Sequence, residues 1–195
     1  GSLKTTRVLR SLHPPSLSQE SVLSEIANGE TLSQECKSSL IYHHKRAAAE
    51  PSTPRSQLRS DDVTHSCLRT VAAFLTSGGG ILYVGVNDDG DCIGIEPDFQ
   101  FLQQGHQNKD GWELHLRDLI MSRFKDGASV NDYVRADFVR VQEKTIARLQ
   151  VHARKKLSFV KKGDIIFLYR RQGNRTTEVK YEEIEEFMTF RQEER

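Results

Sequence analysis

Gly79-Gly80-Ile81-Leu82-Tyr83-Val84-Gly85-Val86-Asn87-Asp88-Asp89-Gly90 is the stretch whose reading decides the fold. Two glycines, a short apolar run and an Asn-Asp-Asp-Gly turn predict a helix stop, a buried strand and a tight reversal. Cys92-Ile93-Gly94-Ile95 returns after the turn, so the pair predicts a β-hairpin. Just upstream, Ser60 offers an N-cap with Asp61 and Asp62 behind it, and Val63, Cys67, Val71 and Phe74 step by four, four and three. That spacing predicts an amphipathic helix which Gly78-Gly79-Gly80 ends.

Working outward, residues 1–15 end in Pro14-Pro15, show no strong period and predict an arm. Ser16 or Ser18 can cap a short helix carrying Val22, Leu23 and Ile26 up to Asn28-Gly29. Residues 30–39 read as a turn into a strand, with Leu32 and Cys36 facing one way and Ser33, Glu35 and Lys37 the other. Residues 43–60 are polar and basic with two prolines, which predicts a flexible insertion. Downstream, 110–125 is amphipathic through Leu116, Leu119, Ile120 and Phe124. Strands are expected over 133–141, 145–151, 157–160 and 165–169, and a helix over 181–190. The mixture predicts one α+β domain over 16–190, a mixed β-sheet flanked by helices, followed by an acidic tail, 191–195.

The whole chain, 195 residues and 22.2 kDa, fits one such domain. Its 36% hydrophobic and 28% charged residues are those of a folded chain rather than a disordered one. The longest apolar run, Ile81 to Val86, is far short of the ~20 residues a membrane-spanning helix needs. Gly1-Ser2 reads as an expression remnant with no charged-then-apolar leader after it, so an intracellular setting is expected. Cys36, Cys67 and Cys92 have neither disulfide nor zinc-site spacing.

Net charge is only +1, but residues 135–180 hold thirteen basic residues against four acidic ones. A basic segment inside a neutral chain suits phosphate-backbone binding. Its candidate contacts are Arg154, Lys155, Lys156, Lys161, Lys162, Arg170, Arg171 and Arg175, with Phe159, Phe167 and Tyr169 interleaved. A solvated face is the plain alternative. Among the acids, Glu30, Glu35 and one of Asp88 and Asp89 stand out. Carboxylates converging on one point need a cation, and hard oxygen ligands favour Mg²⁺ or Mn²⁺. Such a site could cut phosphodiesters, with Lys37 neutralising charge on the phosphate. Glu30 and Glu35 have opposite strand parity, so they converge only if Glu30 lies in the turn before the strand. On spacing alone, scattered surface acids are the commoner explanation.

A resemblance adds to this reading. Gly29-Glu30-Thr31-Leu32-Ser33-Gln34-Glu35-Cys36-Lys37, then Val71-Ala72-Ala73-Phe74, the Gly79–Gly90 stretch with Ile93-Gly94-Ile95, and Tyr169-Arg170-Arg171-Gln172-Gly173-Asn174-Arg175-Thr176 resemble, in that order, the AlbA-like domain of the Schlafen family. The likeness covers about residues 18–190. It implies a single Schlafen AlbA-like lobe. Nuclease members of that family carry E-x4-E-x-K and an aspartate in a GV-D-D turn, which bind a divalent metal and cleave structured RNA. By position these are Glu30, Glu35, Lys37 and Asp88, the implied catalytic set, with the three acids as metal ligands. Asn87, Cys36 and Thr76 depart from the family's usual residues.

The resemblance therefore implies a metal-dependent endoribonuclease, or a subunit of one, acting on structured RNA such as tRNA or small-RNA precursors. The alternative is a non-catalytic nucleic-acid-binding or assembly module of the same fold. Because the family's nuclease cores are built of two lobes, the single lobe implies a homodimer or a related Schlafen-like subunit. The helices at 110–125 and 181–195 are the expected contact surfaces.

Overall fold

The computed structural model describes residues 17–193, so the expected arm at 1–15 and the candidate cap Ser16 lie outside the described residues. Ser18 caps α1 (Gln19–Ala27): its hydroxyl accepts the Ser21 N–H while the Ser21 hydroxyl accepts the Ser18 N–H. Gly29, at φ +72°, turns the chain towards β1 (Gln34–Lys37). The segment 43–60 is not the loose insertion its composition predicts. It folds into α2 (His44–Ala49) and α3 (Arg55–Leu58), closed by a Tyr42–Arg59 bridge. Local caps explain the order: His43 Nδ1 accepts the Arg46 N–H at 3.2 Å, and the Arg46 guanidinium donates to the Gln57 carbonyl at 2.6 Å. Then comes α4 (Asp61–Thr76), with the Ser60 hydroxyl accepting the Val63 N–H.

The predicted hairpin is corrected as well. β2 (Gly80–Val84) runs parallel to β1 and antiparallel to β4 (Lys144–Val151), and β3 (Val134–Val141) closes the order β1-β2-β4-β3. Only a single bridge joins Val86 to Cys92. At Gly85, φ +98°, the chain leaves the sheet, and a Cβ there would meet the Gly94 backbone at 2.9 Å. The link to β3 holds α5 (Glu96–Phe99), α6 (Lys109–Arg123) and α7 (Gly127–Asn131).

A second, antiparallel sheet follows: β5 (Phe159–Lys162), β6 (Ile165–Gln172) and β7 (Arg175–Glu178). The architecture is thus α+β with two sheets, not one. A 3-10 turn, Tyr181–Glu183, leads into α8 (Ile184–Glu193). Residues 191–193 of the expected acidic tail end this helix, where Arg191 is buried and its guanidinium donates to the Arg154 carbonyl at 2.8 Å, and 194–195 lie outside the described residues.

Burial follows strand parity. On one face of the first sheet Leu82, Val84, Ala147 and Leu149 meet Leu68, Val71 and Leu75 of α4 and Trp112, Leu116 and Ile120 of α6. On the other, Tyr83, Val139, Val141 and Ile146 meet Val22 and Ile26 of α1. Helix α4 also carries the second sheet, through His65 Nε2 and the Tyr169 hydroxyl at 3.0 Å. Asp98, fully buried, fixes the chain after β1. Its carboxylate accepts the Ser39 hydroxyl, the Leu40, Ile41 and Tyr42 N–H groups, and the Trp112 indole N–H. Asp98→Ala would leave several of these donors unpaired in the core. It should cost about 3 kcal/mol or more of unfolding free energy, read as a lower urea midpoint.

Candidate functional site

Helix α1, the turn at Gly29, strand β1, the 87–90 turn and the β6–β7 turn border a cleft of about 660 Å³. Glu30, Cys36, Asp88, Asp89 and Asn174 are among its lining residues. Gly29 places Glu30 before the strand, as the parity argument requires. The Glu30 carboxylate bends over the open edge of β1, where Oε1 accepts the Cys36 N–H at 3.2 Å. Asn87 shapes the opposite wall, its Oδ1 accepting the Asp89 and Asp91 N–H groups at 3.0 and 2.8 Å. Asp88, its side chain 77% exposed, pairs with Lys45 of α2 at 3.0 Å. Burial, and then the Glu30 charge, push the Cys36 thiol up to about 12, so it is not a poised nucleophile.

Glu35 is elsewhere. It neighbours Cys36 on β1 and so faces the α4 side of the sheet, where Oε2 accepts from Arg171 Nη1 at 2.7 Å and Oε1 from Lys37 Nζ. Lys37 shares that face, as its spacing predicts. The rest of the Arg171 guanidinium binds the carbonyls of Thr31, Leu32 and Gln34 and the Thr176 hydroxyl, and the group lies 5.0 Å over the Phe74 ring. The expected catalytic set is therefore divided. Glu30 and Asp88 border one cleft, while Glu35 and Lys37 lie on the other face with their charges mutually satisfied. Among the described residues no group of three or more His, Cys, Asp or Glu side chains could hold a metal ion. As arranged, these residues do not fit the Mg²⁺ or Mn²⁺ centre expected from the resemblance.

The eight basic candidates also divide. Arg154 and Arg171 are buried, with side chains 2% and 0% exposed, and are corrected from surface contacts to internal ones. Arg154 binds Asp126, which also accepts from Lys156 at 3.1 Å. Burial pushes the Asp126 carboxyl up, but the Arg154 and Lys156 hydrogen bonds outweigh it and hold the carboxyl below its ordinary value. Lys162 pairs with Asp62 at 2.6 Å, and Arg170 with Glu183 at 3.5 Å while lying over the Phe187 ring. Lys155, Lys161 and Arg175 are exposed.

Sequence reasoning missed Asn174 as a wall of the cleft and Arg171 as the partner of Glu35. The second had a signal. In Tyr169-Arg170-Arg171, successive positions of one strand must face opposite ways, so one arginine had to turn towards the core and find an acid.

Residues 30–180 match the family described as Schlafen, AlbA_2. The chain belongs to that Schlafen family. No curated protein matches it. Among solved structures, the DIP2311 protein from Corynebacterium diphtheriae is similar at 21% identity and a TM-score of 0.53. The match covers 86% of this chain but only 27% of that one, and the likeness is one of fold. The N-terminal domain of a RecG-related protein from Nitrosomonas europaea shares 18% identity at a TM-score of 0.48, over 80% of this chain and 88% of that one.

In this Schlafen domain the two acids should respond very differently to truncation. Glu35→Ala strands a buried guanidinium and should cost about 3–5 kcal/mol of stability. Asp88→Ala, at an exposed pair, should stay within about 0.5 kcal/mol. Urea denaturation of both variants measures the contrast, and equal losses would remove the structural role of Glu35.

Proposed function

We propose that this chain is a nucleic-acid-binding module of the Schlafen AlbA-like fold that grips structured RNA by its phosphate backbone, without a three-carboxylate metal centre of its own. The observation that carries this reading is the engagement of both Glu35 oxygens by Arg171 and Lys37 on the face away from Glu30 and Asp88. Family membership and the exposed Lys155, Lys161 and Arg175 support the nucleic-acid part. Lysine and arginine contacts to phosphate are sequence-tolerant and release counterions.

The other reading is the metal-dependent endoribonuclease. One observation favours it: Glu30, Asp88 and Asp89 border the same cleft. Labelled tRNA incubated with the purified chain in Mn²⁺, and then in EDTA, separates the two. Binding without cleavage, weakening steeply with salt, is the expected result; EDTA-sensitive cutting would establish the nuclease instead. Lys155→Glu/Lys161→Glu/Arg175→Glu should weaken binding to unrelated RNAs about equally and flatten the salt dependence by roughly one unit of slope per lost phosphate contact. Unchanged binding would return these residues to a solvated face.

A further inference from the structure

The β5–β6 hairpin ends in an apolar tip that neither the core nor the phosphate contacts use. Its strands pair down to Lys162 and Ile165, and Gly163, at φ +59°, makes the two-residue turn with Asp164. A Cβ at Gly163 would meet nothing within 4 Å, so the turn stands clear of the rest of the chain. Behind it the sheet is covered on both faces, by His65 of α4 against Phe167 and by Phe187 of α8 in one cluster with Leu168. Neither helix covers the tip. Ile165 and Ile166 are 62% and 53% exposed, one on each face, because successive residues of a strand point opposite ways. Tyr181 is 90% exposed. The β6–β7 register, continued through Val179 opposite Leu168 and an extended Lys180, brings it level with Ile166.

Charge is arranged along this tip. Lys161, across from Ile166, and Asp164, at the apex, are exposed, and among the described residues neither side chain has a hydrogen-bond or ion-pair partner. Lys162, by contrast, is held by Asp62 at the N-terminal end of α4. Lys155 and Arg175 lie towards the other end of that helix. There the Arg154 N–H donates to the Leu75 carbonyl, and the Arg171 N–H, on the strand that turns to Arg175, donates to the Ser77 hydroxyl. Sixteen helical residues set the two ends about 24 Å apart.

We infer that the tip is an apolar wedge for the open end of an RNA duplex, so that the module selects helices that end in free, unpaired nucleotides. This rests on the nucleic-acid-binding function proposed for the chain. Exposed isoleucines gain by covering apolar surface, and in a nucleic acid that surface is the face of a base. Inside an A-form duplex the base faces are stacked and the deep, narrow major groove admits no side chain, so they are open only where the stack ends. Ile165 and Ile166 then cover the last base pair in place of the nucleotide stacked on it. Tyr181 receives the displaced base, and Lys161 meets the neighbouring phosphate. Asp164 fits the same occupant, because a base edge offers N–H donors to a carboxylate whereas a phosphate offers none. It does not suit a lipid surface, since an apical carboxylate would be pushed among anionic headgroups.

Two RNAs of one duplex sequence test this on the whole chain, each with 2-aminopurine in the last base pair. One ends in a single-stranded overhang, and the other is closed at both ends by stacked tetraloops. The open RNA should bind about fivefold or more tightly, and its fluorescence should rise as the stacked nucleotide is displaced. Ile165→Ser/Ile166→Ser should lose the rise and bring the open RNA down to the affinity of the closed one, with an unchanged melting temperature. Tyr181→Ala should weaken the open RNA by about fivefold, and an unchanged affinity overturns the stacking role. Equal binding of the two RNAs by the unaltered chain, or a flat signal, overturns the wedge and leaves the phosphate contacts standing. Binding to neither RNA overturns both the wedge and the proposed function. Binding to phosphatidylserine vesicles that Ile165→Ser/Ile166→Ser abolishes would assign the tip to lipid and overturn the RNA occupant.

Discussion

A guanidinium with no exposure to water holds the molecule together at one point. Arg171, on β6, must satisfy a full fork of N–H donors inside the protein, because an unpaired charge there would cost several kcal/mol. It does so with the Glu35 carboxylate, three carbonyls of the 31–34 turn and the Thr176 hydroxyl, while lying over Phe74. One side chain from the second sheet thereby fixes the turn before β1, the strand itself and the end of α4. The backbone N–H of Arg171 donates to the Ser77 hydroxyl at 2.9 Å, which ties the same strand to the C-terminus of that helix.

That anchor also sets what the acidic residues can do. Glu30 and Glu35 are close in the chain but belong to opposite faces of a four-residue strand: one closes the strand's open edge, and the other neutralises Arg171. The cleft keeps a negative wall from Glu30, Asp88 and Asp89, with Lys45 drawn to Asp88 from the helix pair that composition had marked as loose. A carboxylate bound to a guanidinium and an ammonium has its charge balanced without a metal ion.

The basic segment shows the same economy of charge. Thirteen cations between 135 and 180 suggest a continuous grip in the sequence. In three dimensions acids from distant parts of the chain meet them: Asp62 of α4, Asp126 before α7 and Glu183 before α8. The acidic stretch at the end of the chain is therefore part of the fold, since α8 covers the second sheet with Phe187 and brings Glu183 to Arg170. Of the eight candidate contacts Lys155, Lys156, Lys161 and Arg175 stay exposed, Lys156 with Asp126 beside it.

Local patterns were enough to read the elements themselves. The Ser18 and Ser60 caps, the four-four-three apolar steps of α4, the apolar run of β2 and the shared face of Glu35 and Lys37 all follow from periods of 3.6 and 2 and from hydroxyls that satisfy free N–H groups. The ordered motifs also marked the family. Pairing could not be read, because whether a strand after a tight turn joins its neighbour or a distant partner depends on long-range burial: Val84 lies beside Ala147, not beside the segment that returns after Asp89. Composition alone marked 43–60 as loose, whereas short caps and a backbone bridge order it. Facing was legible only within one strand, so the sequence determined that Glu35 and Lys37 sit together. Only the tertiary structure decided that Arg171 would join them while Glu30 and Asp88 bordered a separate cleft, because a buried charge takes whichever partner the packing of distant elements brings within reach.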